Sequence, residues 1–500
     1  MPATDEAYRA PAEPDPTDRH SYRKILASTS IIGSATLASI VVGIVRTKAL
    51  ALIAGPAGIG VIGLLNNISG IGTNLAGLGL CHSVTRDIAA SPGPAERAEV
   101  RRALWLATMP AAILGGLVLW LLRAPIARLV AGDQGLALLV GLSGLAVTFG
   151  AIAFAQQGVL QGLQRIRALG IIRIGSPLLA TLLAIPAAYW WGEIGLVVAV
   201  VAVPLAAVLV GLLYAPRDLP AVRVDRAQLL ARWDSLLRLG AVMMVTGLIN
   251  LSVLAAVRAF VVRDGGLEAA GQFQAVITLT TMNIALVLSA MASDYFPRLS
   301  AEAGLHSEQN RIVNQQLHSA LLLAVPLILG LIAFAPFVMR ILYSSQFLPG
   351  TELLRWQLFG DVLKVPSWAL GFVLLANGNR RAFFATEILY ATVYLAGSYV
   401  AVSSFGMRGV GLAYSLAFLA YAIALQWVCR RDYGIAISRE NMLILLVSAA
   451  VIGLLQVAAT FSQWLVFGLG LAAAAASGLF TLRELSRKTG IRLPFLGTRS

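Results

Sequence analysis

The chain has 500 residues, of which 58% are hydrophobic and only 12% charged. Soluble domains carry about 25% charged residues and at most about half apolar ones, so a water-soluble fold is excluded and a bilayer has to solvate most of the surface. The net charge of +14 would suggest nucleic-acid binding in a soluble protein, but here the basic residues fall in short connectors between apolar runs, and no nucleic-acid partner is expected.

Residues 1–22 are polar and Pro-rich and read as a disordered cytoplasmic tail; no cleavable signal peptide is expected. A helix needs about 20 apolar residues to cross the hydrocarbon. By that rule the chain holds fourteen spans, at about 25–53, 60–85, 102–122, 135–160, 170–190, 194–214, 236–261, 271–295, 317–338, 351–376, 383–404, 408–429, 442–461 and 463–482. Turn signals separate them, among them Gly55-Pro56-Ala57-Gly58, Gly265-Gly266 and Ala376-Asn377-Gly378-Asn379. With both termini cytoplasmic, the inside segments collect 27 of the 38 basic residues and the outside connectors six. That bias is the one expected of a correctly oriented multi-pass protein.

An internal repeat runs through the sequence. Arg46 recurs at Arg258, Arg86 at Arg298 and Arg128 at Arg340, each time 212 residues later. Ala124-Pro125-Ile126-Ala127-Arg128 matches Ala335-Pro336-Phe337-Val338-Met339-Arg340 with one insertion, and both stretches read as short interfacial helices. The expected architecture is all-α integral membrane. It comprises two pseudo-twofold six-helix bundles (23–216 and 236–432) joined by a cytoplasmic linker (217–235), two further helices (433–482) and a basic tail (483–500). Transporters of this plan bind substrate in a central cavity between the repeats.

Ionisable residues inside spans are costly, about 2.5–3.5 kcal/mol each on insertion scales, and mark cavities or partners. Arg46 and Lys48 late in the first span, Arg258 at the equivalent point of the seventh, and Arg173 at the start of the fifth are candidate ligands for an anionic head group; guanidinium suits phosphate through paired hydrogen bonds. Snorkelling to the outer headgroups is the alternative for the first three. Asp361 and Lys364 share one face of the tenth span, as a neutralised pair or as a coupling or gating element. Glu387 joins them as a coupling candidate, with pairing to Arg380 or Arg381 as its alternative.

Gly58-Ile59-Gly60-Val61-Ile62-Gly63 matches GxGxxG but opens a membrane span, so close helix packing explains it better than a nucleotide. No P-loop occurs. Cys81 and Cys429 and the four histidines form no metal or catalytic pattern, so no cofactor and no enzymatic activity are expected.

Three stretches carry a likeness to a known family: Ala54-Gly55-Pro56-Ala57-Gly58-Ile59-Gly60 with Val84-Thr85-Arg86-Asp87-Ile88-Ala89; Tyr295-Phe296-Pro297-Arg298-Leu299-Ser300; and Trp356 to Trp368, with its intramembrane Gly360-Asp361-Val362-Leu363-Lys364, running on to Asn377-Gly378. Over about residues 20 to 430 the chain resembles the Wzx-type oligosaccharide flippases, such as those of O-antigen and of enterobacterial common antigen lipid III, in the multidrug/oligosaccharidyl-lipid/polysaccharide exporter superfamily. Several close members carry twelve spans, so the last two here are an addition. The resemblance implies an undecaprenyl-diphosphate-linked oligosaccharide as cargo, a bacterial inner-membrane location among membrane lipids, and a polysaccharide polymerase as a possible partner. The competing expectations are a multidrug or organic-cation antiporter on the same scaffold and a membrane glycosyltransferase, the latter disfavoured by the short outer loops.

Overall fold

The computed structural model describes residues 16–489, apart from 133, 217, 221, 223 and 224. Most of the expected N-terminal tail and the end of the basic C-terminal tail lie outside these residues. Every regular element described is helical, the arrangement that lets backbone polar groups satisfy one another inside a bilayer. Sixteen α-helices follow in order: α1 (Pro16–Ala76), α2 (Leu80–Ala90), α3 (Pro94–Leu121), α4 (Arg123–Ala131), α5 (Ala137–Leu142), α6 (Gly144–Gly162), α7 (Ile166–Trp191), α8 (Glu193–Leu213), α9 (Arg226–Ala301), α10 (His306–Ala333), α11 (Ala335–Leu342), α12 (Thr351–Ala376), α13 (Arg380–Phe405), α14 (Met407–Tyr433), α15 (Arg439–Phe461) and α16 (Gln463–Thr489). Among the described residues eleven stretches are long and apolar enough to cross a membrane. Two differences from the sequence expectation concern ends: helix already begins at Pro16, within the expected tail, and at Arg226, within the expected linker.

The 61-residue α1 and the 76-residue α9 are each two helices joined at a single glycine. Gly55 has φ 63° and ψ −169°, and Gly266 φ 72° and ψ −169°. That backbone region is essentially closed to residues with a Cβ. The same conformation thus recurs at equivalent points of the two repeats. The likeness continues along the chain. α3 and α10 are both 28 residues long, and α7 and α13 both 26. Gly192 and Gly406, with φ of 52° and 59°, introduce α8 and α14. The short helices α4 and α11 occupy the two Ala-Pro stretches.

The two halves meet where α1 packs against α9. Glycines make the approach possible. A methyl group on Gly60 would collide with the Leu267 carbonyl, and one on Gly271 with the Pro56 carbonyl. A methyl on Gly63 would press on the Gln274 side chain at 2.6 Å. The GxGxxG match is therefore a helix-crossing surface, as small residues in membrane interfaces commonly are. Farther along the same seam Asn67 donates to the Leu251 carbonyl at 3.3 Å, and the left-handed Gly79 meets Gly240 backbone to backbone. Leu78 and Gly79 both have positive φ, which breaks the expected second span into residues 56–76 and α2.

The outward surface is apolar. Tyr189, Trp190 and Trp191 at the end of α7, and Phe461 and Trp464 between α15 and α16, are largely exposed, as aromatic rings at a membrane interface are. The molecule is an all-α multi-pass membrane protein built of two repeated bundles with two added helices.

Overpacking a tight crossing costs about 1–3 kcal/mol. Gly271→Leu is expected to lower the melting temperature of the purified protein by several degrees, whereas Gly453→Leu, where nothing lies within 4 Å, leaves it unchanged. Melting curves followed by tryptophan fluorescence check this; equal curves for the two variants would remove the glycine seam from the account.

Candidate functional site

The first half of α1 carries Arg46 toward the middle of the molecule. A cavity of about 530 Å³ lies beside it, walled by Asn66, Ser69, Thr73 and Asn74 from the second half of α1, with His82 and Thr108. The polar residues recur every three to four positions and so share one helix face. Arg46 also borders a smaller cavity of about 230 Å³, opposite Thr278, Met282 and Tyr343. Its Nη1 is buried without a hydrogen-bond partner, and among the described residues it makes no ion pair.

Arg258 is only 2% exposed. Its Nη2 donates to Gln274 Oε1 at 2.5 Å, its guanidinium lies 5.9 Å from the Phe273 ring centroid, and its Nε and Nη1 are buried without partners. The Gln274 amide donates in turn to Thr278 Oγ1 at 3.1 Å, and Thr278 faces the cavity that Arg46 borders. A hydrogen-bonded path on α9 therefore leads from Arg258 to the cavity that Arg46 borders. An uncompensated guanidinium in an apolar interior is expensive unless an anion or water meets it.

The other two basic candidates are placed differently. Lys48 donates to the Arg340 carbonyl at 3.3 Å and to that of Tyr343, so its ammonium binds the C-terminal end of α11, where the helix dipole favours a cation. Arg173 reaches Thr36 Oγ1 at 3.3 Å from an exposed face of α7.

The carboxylate candidates occupy the second bundle. Asp361 is fully buried; Oδ1 accepts from the Tyr414 hydroxyl at 2.9 Å, and Oδ2 has no partner. Lys364 does not form an ion pair with it. Its ammonium stands 5.5 Å over the Phe418 ring instead, a cation–π arrangement. Glu387 accepts from the Tyr421 hydroxyl at 2.5 Å, so its described hydrogen bond goes to α14 and not to Arg380 or Arg381. Rings bridge the two carboxylates: Tyr394 and Tyr414 have centroids 5.6 Å apart, Tyr390 and Phe418 4.7 Å, and Tyr390 and Tyr421 5.7 Å. Sequence reading passed over these tyrosines. Their signal was the four-residue step from Tyr390 to Tyr394 and the seven-residue step from Tyr414 to Tyr421, each of which keeps one helix face.

Two further residues were missed. Arg355, counted in an outer connector, is 1% exposed and donates to Gln463 at 2.7 Å, joining α12 to α16. His318 lies with Glu440 and Glu484 in a group whose ligand atoms are within 4.8 Å of one another. Asn441 Oδ1 is 3.0 Å from its Nδ1, and Arg487 pairs with Glu484 at 2.6 Å, so the group fastens α15 and α16 to α10. Two of the stretches that carried the family likeness meet: Tyr295 stacks on Trp368 at 5.6 Å and donates to the Ala369 carbonyl at 2.7 Å.

The Lipid III flippases of Escherichia coli (strain K12) and Shigella flexneri are each 24% identical to this chain over 424 residues, which is 79% of this chain and 96% of theirs. Among solved structures, Lipid II flippase MurJ in an inward closed conformation superimposes with a TM-score of 0.70 at 13% identity, covering 92% of this chain and 99% of that one. An inward-facing multidrug resistance MATE family transporter gives a TM-score of 0.61 at 17% identity, covering 80% and 98%. These two similarities speak to the fold. The family model described as Polysaccharide biosynthesis protein matches residues 49–352, and on that match, across more than half of its length, the chain belongs to this family.

Proposed function

We propose that this protein is a flippase that moves a polyprenyl-diphosphate-linked oligosaccharide from one leaflet to the other by alternating access. The observation that carries the reading is the pair of repeat-related arginines, both with unpartnered buried nitrogens, of which Arg46 lines a polar-walled cavity. A diphosphate with attached sugars cannot cross hydrocarbon unaided. Guanidinium groups in a wet chamber between two bundles would hold the phosphates while the lipid tail stays in the membrane. The likeness to the Lipid III flippases supports the same class of cargo, with undecaprenyl as the lipid, as does membership in a polysaccharide biosynthesis family.

In this reading Arg46 and Arg258 contact the head group, Arg173 guides it at the entrance, and Lys48 holds the short outer helix α11 in place beside it. Asp361, Lys364 and Glu387 serve coupling or gating. Asp361 has one oxygen bound to Tyr414 and one free, so a proton or cation gained there would change the packing of α12 against α14. The membrane potential, worth about 2.3 kcal/mol per charge per 100 mV, favours outward movement of an anion and inward return of protons. The protein is a carrier and not an enzyme, works in the bacterial inner membrane with both termini in the cytoplasm, and spans it fourteen times, with α1 and α9 each crossing twice. Its bundles cover 23–216 and 236–432, and a polysaccharide polymerase is its downstream partner. A cation antiporter is the second reading, favoured by the buried carboxylate of Asp361 and the MATE-like fold.

A charge-assisted hydrogen bond is worth about 1.5–3 kcal/mol, so Arg46→Ala and Arg258→Ala are each expected to slow flipping by roughly ten- to a hundredfold at unchanged membrane levels. Proteoliposomes loaded with defined polyprenyl-diphosphate sugars measure this; wild-type rates in both variants would rule out the head-group role. Asp361→Asn is expected to abolish any acceleration by a pH gradient while the rate without a gradient persists. A gradient response that survives the substitution would remove Asp361 from coupling. Reporter fusions near Ser91 and Asp218 are expected to be cytoplasmic and one near Gly265 periplasmic; the reverse pattern would overturn the orientation.

A further inference from the structure

A second cavity is larger than the one beside Arg46. It measures about 840 Å³ and lies in the first bundle between α3, α6 and α8, under the linker. Its walls are apolar, with Phe149 and Ile152 at the floor and Leu106, Met109 and Leu212 exposed at the rim. At its linker end stand Arg101 and Arg102, each with one guanidinium nitrogen on a linker carbonyl, Pro216 and Val222 respectively. Both arginines line the cavity. Gln156, on the α6 wall, is 9% exposed, and its Oε1 has no partner.

The repeat shows what such a groove does when it is covered. The equivalent surface of the second bundle lies on α10, α12 and α14, and there α15, α16 and the segment before them sit on it. Asn314, at the position equivalent to Arg102, donates to the Ala436 carbonyl at 2.9 Å. Leu322, equivalent to Pro110, accepts from Thr481 at 2.7 Å. Gln426, equivalent to Leu212, donates to the Ile435 carbonyl at 3.2 Å. Among the described residues no helix pair lies over the first bundle in this way, so the groove there faces the membrane. In place of the neutral Asn314 it has a cation.

We infer that this groove is a binding site for an anionic glycerophospholipid of the leaflet on the linker side. The phosphate meets Arg101 and Arg102, and one acyl chain fills the space between α3 and α8. The volume suits a chain and part of a head group and is too small for a transmembrane helix, which is about 10 Å across. Basic residues at a membrane surface select anionic lipids, and an apolar groove with a cationic mouth matches both ends of such a molecule. Because the linker is held by the same two arginines, the lipid would tie the hinge between the bundles to the composition of the membrane. The site is separate from the arginine pair of the proposed cargo, and its test does not require transport.

Full-length protein reconstituted in equal parts phosphatidylglycerol and phosphatidylcholine, then released from detergent micelles in a native mass spectrometer, reads retained lipid directly. Phosphatidylglycerol is expected to be retained over phosphatidylcholine by roughly tenfold or more. That preference should vanish in Arg101→Ala/Arg102→Ala and also in Met109→Trp/Ala215→Trp, which fills the groove at two exposed positions without touching a charge. Equal retention of the two lipids by the wild type overturns the proposal. So does loss of preference in only one of the two variants, or a cross-link from Met109→Cys to a second copy of the chain in place of bound lipid.

Discussion

Two guanidinium groups stand inside an apolar helical bundle without carboxylates to neutralise them. Arg258 is buried with a single short hydrogen bond to Gln274, and Arg46 has a buried nitrogen with none. Charge in that setting is tolerated when water or an anionic ligand shares it. The surroundings fit this need: a wall of Asn66, Ser69, Thr73 and Asn74 in the first bundle to hold water beside Arg46, and a relay from Arg258 through Gln274 to Thr278, at the edge of the smaller cavity that Arg46 borders.

The bundles are held together by absence of side chains. Gly60 and Gly271 bring carbonyls of one helix against the Cα of the other, and Gly79 does the same against Gly240 farther along. Such contacts have no interdigitated side chains to withdraw, so helices can separate and rejoin along them at low cost. That property suits a carrier whose halves rock, and it contrasts with α10, α12, α15 and α16, which are tied by Asn314, Asn441, His318 and Thr481 through directed hydrogen bonds.

The second bundle concentrates its ionisable groups differently from the first. Asp361 and Glu387 are each bound to a tyrosine hydroxyl on α14, and the rings between them pack edge to face. Each carboxylate is thus fixed to α14 by a single neutral donor. In the proposed reading the coupling groups sit on α12 and α13, apart from the cavity that Arg46 lines.

Much of this was legible in the sequence because the bilayer leaves few choices. Apolar runs of about 20 residues have to be helices, a shared offset of three arginines exposes the repeat, and charges inside spans name themselves by their cost. Gly55 and Gly266 were readable as turn points, since their neighbours break the apolar pattern. What the sequence could not decide was partnership. Lys48 turned to the end of α11, Lys364 turned from Asp361 to the Phe418 ring, and Glu387 found Tyr421, because side-chain pairing depends on which helices touch, and in lipid any apolar face satisfies the solvent equally well. For the same reason the apolar pattern alone did not show that the groove of the first bundle stays open while its counterpart in the second is covered by α15 and α16, since burial against another helix and burial against lipid place the same demand on an apolar residue.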